Sequence, residues 1–157
     1  ARPPMLERIT ARRNDAGSNT LAAAIAAEFY ADGIEAHAAT VNPALRIKRD
    51  HLLATLAEEL DDVCVWSRPP GGLFVWVRLP EDTDRRKLWD LAQAGGVHYL
   101  PGSAFHVAGA DVPYLRLAFG HLDLDTIGEG VRRLAGCIRR SRTSNAPRQF
   151  DDLFGAG

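Results

Sequence analysis

The chain of 157 residues has the size of one ordinary domain, and a composition of 46% hydrophobic and 25% charged residues is typical of a globular protein. A formal net charge of −1 gives no general attraction to nucleic acid or to anionic membranes, and no apolar run reaches the about 18 residues of a membrane helix. Cys64 and Cys137 lie too far apart to suggest a disulfide framework, so we expect a reducing, cytoplasmic environment.

Helical patterns dominate the first sixty residues. A short apolar stripe follows two prolines that suit a first helical turn, and residues 14–19 then predict a break, because their polar side chains hydrogen-bond to their own backbone. Ser18 or Asn19 can cap a second helix. We expect this second helix to end at Asp32-Gly33, because glycine commonly closes helices.

A third helix is predicted from about Ile34 or Pro43 to residue 60. Pro43 either kinks this helix or starts its regular part. Four leucines recur near multiples of four positions and predict one buried face: Leu45, Leu52, Leu56 and Leu60.

After residue 62 the pattern changes to strands that alternate with helices. Strands are predicted at 63–66, 73–79, 97–100 and 114–119, with one helix between the second and third and a long helix from Asp123. The order predicts an α+β fold, in which leading helices precede a small, mostly antiparallel sheet with helices on one face. Residues 141–157 mix Ser, Asn, Pro, Gly and charge, and we expect a disordered tail there.

Arg116 is the candidate binding residue. Along its strand Leu115, Leu117 and Phe119 point to one side, which belongs to the core, and Arg116 points to the other. A planar guanidinium on rigid backbone is suited to gripping a carboxylate in two parallel hydrogen bonds. The alternative that the pattern leaves open is an exposed strand arginine in a surface ion pair.

The other groups that could carry a function give weaker evidence of a site. The five histidines show no metal-binding spacing, and Ser103 lies outside a Gly-x-Ser-x-Gly nucleophile elbow. Residues 131–149 contain six arginines and no acid. Cations near a helix C-terminus are favoured by the helix dipole, and nucleic-acid contact would need interleaved aromatic residues, so we do not expect a nucleic-acid partner.

Four segments carry a family resemblance: 70–76 (PGGLFVW), 96–105 (GVHYLPGSAF), 114–119 (YLRLAF) and 127–134 (IGEGVRRL). In this order, and with these gaps, they resemble the C-terminal part of the class I/II, fold-type-I aminotransferases that depend on pyridoxal phosphate. The similarity is to the 2-aminoadipate and valine–pyruvate-like branch, whose small domain also ends a group of transcription regulators. The resemblance extends over about residues 1–140.

The resemblance implies a division of the chain. Residues 1–60 would form the end of the large domain and the interdomain helix, and residues 61–140 the small C-terminal α+β domain. Residues 141–157 would form the tail outside it.

The resemblance also implies roles for particular residues. Arg116 matches the family arginine that binds the α-carboxylate of the amino-acid substrate, and residues 101–105 would lie near the mouth of that site. Ser18 and Asn19 would lie close to the cofactor phosphate at the interface of a homodimer. The reaction implied for the parent protein is transfer of an amino group between an amino acid and a 2-oxo acid.

The family mechanism also needs a lysine that holds pyridoxal phosphate as a Schiff base. Of the 19 basic residues only Lys48 and Lys87 are lysines, and neither lies in the family's Ser-x-x-Lys context. We therefore expect a portion of a longer enzyme, or a chain completed by another polypeptide, that is inactive alone. Two alternatives stay open: an effector-sensing aminotransferase-like domain of a transcription regulator, and an interaction module that uses the arginine-rich helix.

Overall fold

A computed structural model describes residues 3–11 and 19–143. Ser18, most of the predicted break at 14–19 and the predicted tail from residue 144 onward lie outside the described residues. The elements follow one another in this order: α1 (Pro3–Thr10), α2 (Thr20–Leu60), β1 (Val65–Trp66), β2 (Phe74–Arg78), α3 (Arg85–Ala94), β3 (Leu100–Pro101), a 3₁₀ turn (Gly102–Phe105), β4 (Tyr114–Ala118) and α4 (Leu124–Ser141). None of the described helices combines the length and the apolar character that crossing a membrane requires.

Helix α2 is continuous over 41 residues, so the predicted end at Asp32-Gly33 is wrong. Gly33 does not adopt the positive φ of a helix-closing glycine. A single glycine costs a helix only about 1 kcal/mol relative to alanine, and the alanine-rich sequence on both sides favours helix. Pro43 also lies inside α2, rather than at the start of a separate helix.

The predicted cap of this helix is confirmed at Asn19. Its side-chain Oδ1 accepts a hydrogen bond from the backbone N–H of Ala22 at 3.0 Å. That bond satisfies one of the N–H groups that the first turn of a helix leaves without a partner.

Two compact units divide the chain, and the division falls after Val41, inside α2. The first unit contains α1 and the first part of α2. Leu21, Ile25 and Phe29 in this part of α2 are 72%, 62% and 52% exposed, although they share one helix face. The predicted assignment of 1–60 and 61–140 to two domains of a parent protein stays a prediction.

The second unit is built on an antiparallel sheet with the strand order β1-β2-β4-β3, which confirms the predicted α+β fold. The third strand is shorter than predicted and starts only at Leu100. Val97 instead donates its backbone N–H to the carbonyl of Ala92, and Gly96 has a φ of 69°. Val97 therefore closes α3 and does not join the sheet.

One face of the sheet forms the core. Val75, Val77 and Leu115 are fully buried, and they belong to one apolar cluster that includes side chains of α3, α4 and the end of α2. The α2 leucines in this cluster are Leu52, Leu56 and Leu60. The predicted inward direction of the β4 leucines is therefore confirmed, and within the second unit the described helices leave the opposite face of the sheet open.

Candidate functional site

Arg116 lies on the open face of the sheet, in the middle of the central strand β4. Its Cα is in register with Trp76 of β2 on one side and Leu100 of β3 on the other. Its neighbours Leu115 and Leu117 are 0% and 8% exposed on the core face, whereas the Arg116 side chain is half-buried. The backbone of Arg116 is held in place because β4 pairs with a strand on each side and because the residues before and after Arg116 are buried.

The guanidinium of Arg116 lies over two aromatic rings. Its Cζ atom is 3.9 Å from the centroid of Phe74 and 4.2 Å from the centroid of Phe105. Both distances are well within the about 6 Å over which a cation is attracted to an aromatic face. A phenyl ring accepts no conventional hydrogen bond, so these contacts leave the guanidinium N–H donors available.

Arg116 has no acidic neighbour at ion-pairing distance, and it donates no hydrogen bond, within residues 3–11 and 19–143. Other arginines of the second unit do pair: Arg78 with Glu81, Arg85 with Asp111, Arg139 with Asp62 and Arg142 with Asp82. A surface ion pair, the alternative that the strand pattern left open, is therefore not what the described residues form.

The 3₁₀ turn that follows β3 brings Phe105 to this face. Gly102, the first residue of the turn, is buried, and an added Cβ there would lie 2.8 Å from Cγ2 of Val112 and 3.0 Å from Cβ of Tyr114. Only glycine permits this close approach of the turn to the segment that leads into β4. The loop at 101–105, expected near Arg116, does lie against it through Phe105.

Sequence reasoning missed the two rings that contact Arg116. Strand alternation does place Phe74 and Trp76 on one face of β2, but only the pairing of β2 with β4 shows that this is the face of Arg116. Phe105 lies outside the strands, so no periodicity could have placed it.

The two residues predicted to lie near the cofactor phosphate, Ser18 and Asn19, directly precede α2 in the chain. Ser18 lies outside the described residues, and Asn19 belongs to the first compact unit, where its side chain caps α2. Their role beside the phosphate stays a prediction.

The two lysines do not fit the covalent attachment of pyridoxal phosphate. Nζ of Lys48 donates a hydrogen bond to the carbonyl of Gly120 at 3.1 Å, and Lys87 is exposed on α3. A Schiff base forms when a free amine attacks an aldehyde, and the Nζ of Lys48 is already engaged with a carbonyl oxygen. We therefore assign no covalent step to these lysines.

Comparison with known proteins assigns the chain to a family. Residues 3–134 match the family described as aminotransferase class I and II. Aromatic-amino-acid aminotransferase 1 of Thermococcus litoralis is 34% identical over 126 residues, which cover 80% of this chain and 30% of that protein. The HTH-type transcriptional regulator YdfD of Bacillus subtilis is 28% identical over 139 residues, which cover 87% of this chain and 28% of that protein.

Among solved structures, this chain resembles the alpha-aminoadipate aminotransferase LysN of Thermus thermophilus, complexed with N-(5'-phosphopyridoxyl)-L-leucine. The TM-score is 0.66 at 32% identity, over 72% of this chain and 29% of that one. The chain thus spans about three-tenths of the length of the relatives it matches. Since the family match extends over residues 3–134, the chain belongs to the class I and II aminotransferases.

Proposed function

We propose that this chain is the C-terminal portion of a pyridoxal-phosphate-dependent aminotransferase, and that Arg116 binds the α-carboxylate of its substrate. The parent protein would transfer an amino group between an amino acid and a 2-oxo acid. The observation that carries the proposal is the environment of Arg116: rigid backbone, two ring contacts and no acidic partner among the described residues.

The contribution of Arg116 is to hold one end of the substrate. Its planar guanidinium can give a carboxylate two parallel N–H···O bonds, and a hydrogen bond to a charged group contributes about 1.5–3 kcal/mol. A fixed carboxylate restricts where the substrate Cα can lie, which lowers the barrier by orientation. When bound, pyridoxal phosphate supplies the electron sink for the reaction at that carbon.

The remaining parts of the active site would come from polypeptide beyond these residues. The amine that holds the cofactor is one of them, so we expect the chain alone to be inactive. Ser18 and Asn19 would lie close to the cofactor phosphate at the interface of a homodimer. The exposed apolar face formed by Leu21, Ile25 and Phe29 supports this proposal, because such a face is normally covered by further protein.

A titration with two nearly identical ligands tests the carboxylate role. L-leucine and L-leucinamide differ in the group that Arg116 would bind, and the Nε–H signal of Arg116 in nitrogen-15 NMR reports on its surroundings. We expect L-leucine to shift this signal saturably and L-leucinamide to leave it unchanged. In Arg116→Lys the affinity, read from backbone amides, should fall about tenfold or more, because the planar fork is lost.

The matched control is Arg78→Leu. Arg78 is on the same face of the sheet but pairs with Glu81, so its removal should leave the response to L-leucine unchanged. Equal responses to L-leucine and L-leucinamide, or an unaltered affinity in Arg116→Lys, would remove Arg116 from the site.

A second candidate function is supported by the similarity to the regulator YdfD over 87% of this chain. The same fold would then sense an amino acid or its cofactor adduct within a transcription regulator. The DNA sequence upstream of the Ala1 codon separates the two: a Ser-x-x-Lys segment without a DNA-binding domain supports the enzyme, and a winged-helix segment supports the regulator.

A further inference from the structure

We infer that Phe105 is a positioning residue for Arg116, which fixes the orientation of the guanidinium through the 3₁₀ turn. This inference rests on the proposed function, because orientation matters only where Arg116 has a ligand to receive. The two are nevertheless separable by experiment, since the motion of the guanidinium can be measured without a ligand.

An arginine on an open sheet face needs such support. Its side chain has four rotatable bonds, and fixing them at the moment of binding opposes the association. A guanidinium that is already held in one orientation loses less freedom when a carboxylate arrives. Contacts that restrain Arg116 without occupying its N–H donors therefore favour binding.

The two rings that contact Arg116 have different origins. Phe74 is on β2 with its Cα in register with Ala118, so it is a diagonal neighbour of Arg116 within the sheet. Its position follows directly from strand register. Phe105 comes from outside the sheet, and its position depends on how the turn is held.

Three contacts hold the turn and its ring. Gly102 lets the turn approach Tyr114 to a distance at which a Cβ would not fit. The backbone N–H of His106 donates to the carbonyl of Ser103 at 3.3 Å, at the end of the turn. The ring of Phe105 meets that of Trp76 edge-on, with centroids 5.2 Å apart and an interplanar angle of 83°.

Burial of the Phe105 ring in the core does not account for its position. Phe105 is 42% exposed and is not part of the buried cluster that forms the core. Within the part of the chain that the structure describes, its ring contacts are with Trp76 and Arg116. The position of the Phe105 ring therefore depends less on packing in the core than on its contacts with Trp76 and Arg116.

The test compares variants of the whole chain labelled with nitrogen-15 at arginine. Phe105→Leu removes the ring and keeps an apolar side chain, whereas Phe105→Tyr keeps the ring. Phe29→Leu is the matched control, because Phe29 is an exposed aromatic residue whose ring contacts are with Tyr30 and His37. The readouts are the rate of rotation about the Nε–Cζ bond of Arg116 and the affinity for L-leucine.

We expect Phe105→Leu to accelerate the rotation and to weaken L-leucine binding about two- to fivefold, the factor that corresponds to one exposed cation–π contact. Phe105→Tyr should restore both values, and Phe29→Leu should change neither. An unchanged rotation rate in Phe105→Leu overturns the inference, and so does a faster rotation with unchanged affinity. If L-leucine and L-leucinamide act alike on the wild-type chain, the proposed function fails, and the rotation rate alone then decides on Phe105.

Discussion

Lys48 donates a hydrogen bond from Nζ to the carbonyl oxygen of Gly120, 3.1 Å away and 72 positions later in the sequence. The bond connects the second half of α2 with the residues that follow β4. The Lys48 side chain is half-buried and its Nζ is engaged in this bond, whereas Lys87, the other lysine of the chain, is exposed on α3.

The aldehyde of pyridoxal phosphate should therefore modify Lys87 faster than Lys48. Reduction with borohydride followed by mass spectrometry of tryptic peptides measures both rates. In urea the two lysines should react at similar rates, because the hydrogen bond of Lys48 is then lost. Preferential labelling of Lys48 in the folded chain would instead reveal a reactive amine within these residues.

Substitution by alanine should change the stability of the protein in opposite directions at two glycines. Gly33 lies inside α2 with nothing within 4 Å of an added Cβ, so Gly33→Ala should stabilise the helix by about 0.5–1 kcal/mol. Gly96 has a φ of 69°, so Gly96→Ala should lower the free energy of unfolding by about 1–2 kcal/mol. Far-UV circular dichroism during urea unfolding measures both changes. A loss of helix in Gly33→Ala would contradict the continuity of α2.

Replacing a leucine by alanine should lower the free energy of unfolding more in the second part of α2 than in the first. Leu56 is fully buried in the core, and Leu56→Ala should lower the free energy of unfolding of the second unit by about 2–5 kcal/mol. Leu21→Ala makes the same chemical change at a side chain that is 72% exposed, and its effect should stay within about 0.5 kcal/mol. Chemical denaturation of the two variants tests this, and equal losses would contradict it.

Neither cysteine should react in the folded chain. Cys64 is 6% exposed and Cys137 is 1% exposed, and burial raises the pKa of the Cys64 thiol to about 12. Since the thiolate is the reactive form, Ellman's reagent at about pH 8 should modify both thiols only after denaturant is added. Rapid modification of Cys64 under native conditions would show that its part of the core opens readily.

The ion pair between Arg139 and Asp62 should make a small part of the stability depend on pH. Two hydrogen bonds of 2.9 Å from Arg139 hold the pKa of Asp62 below its ordinary value. The stabilisation is therefore complete above the unfolded-state pKa of about 3.9, and it is lost as the pH falls through the lower folded-state pKa. Both side chains are about half exposed, and solvent screening limits the contribution to about 1 kcal/mol or less.

Asp62→Asn tests this pair. The variant should lose less stability than the wild type when urea unfolding at about pH 6 is compared with unfolding at about pH 3. Parallel losses in the two proteins would mean that other carboxylates account for the acid sensitivity.

Features that depend on neighbours a few positions apart could be predicted from the sequence. The alternation along β4 placed Leu115 and Leu117 in the core and Arg116 on the open face, because side chains of a strand alternate between its two faces. The recurrence of leucines in the second half of α2 likewise predicted its buried face. The four family segments identified the fold without any knowledge of contacts.

The end predicted for α2 at Gly33 shows where local reasoning failed. Glycine is a frequent helix terminator, but whether it ends a given helix depends on whether the chain adopts a positive φ there. At Gly33 the flanking alanines and the Asn19 cap outweighed that tendency, and the helix continued.

Local sequence was also a poor guide to the ion pairs of the arginine-rich segment, residues 131–149. Residues 131–149 contain no acid, which left an interaction module that uses the arginine-rich helix open as a role. In the structure Arg139 pairs with Asp62, 77 positions earlier, and Arg142 pairs with Asp82, 60 positions earlier. Distant segments neutralise these charges once the helices pack.

The sequence by itself determined the fold class, the buried leucine face in the second half of α2 and the face of β4 that carries Arg116, and the two faces follow from periods of about 3.6 and two residues. Only the tertiary structure decided what surrounds that arginine. Strand register brought Phe74 beside it, and the close approach of Gly102 to Tyr114 brought Phe105. Both are contacts between different segments of the chain, and they are selected by packing rather than by any local pattern.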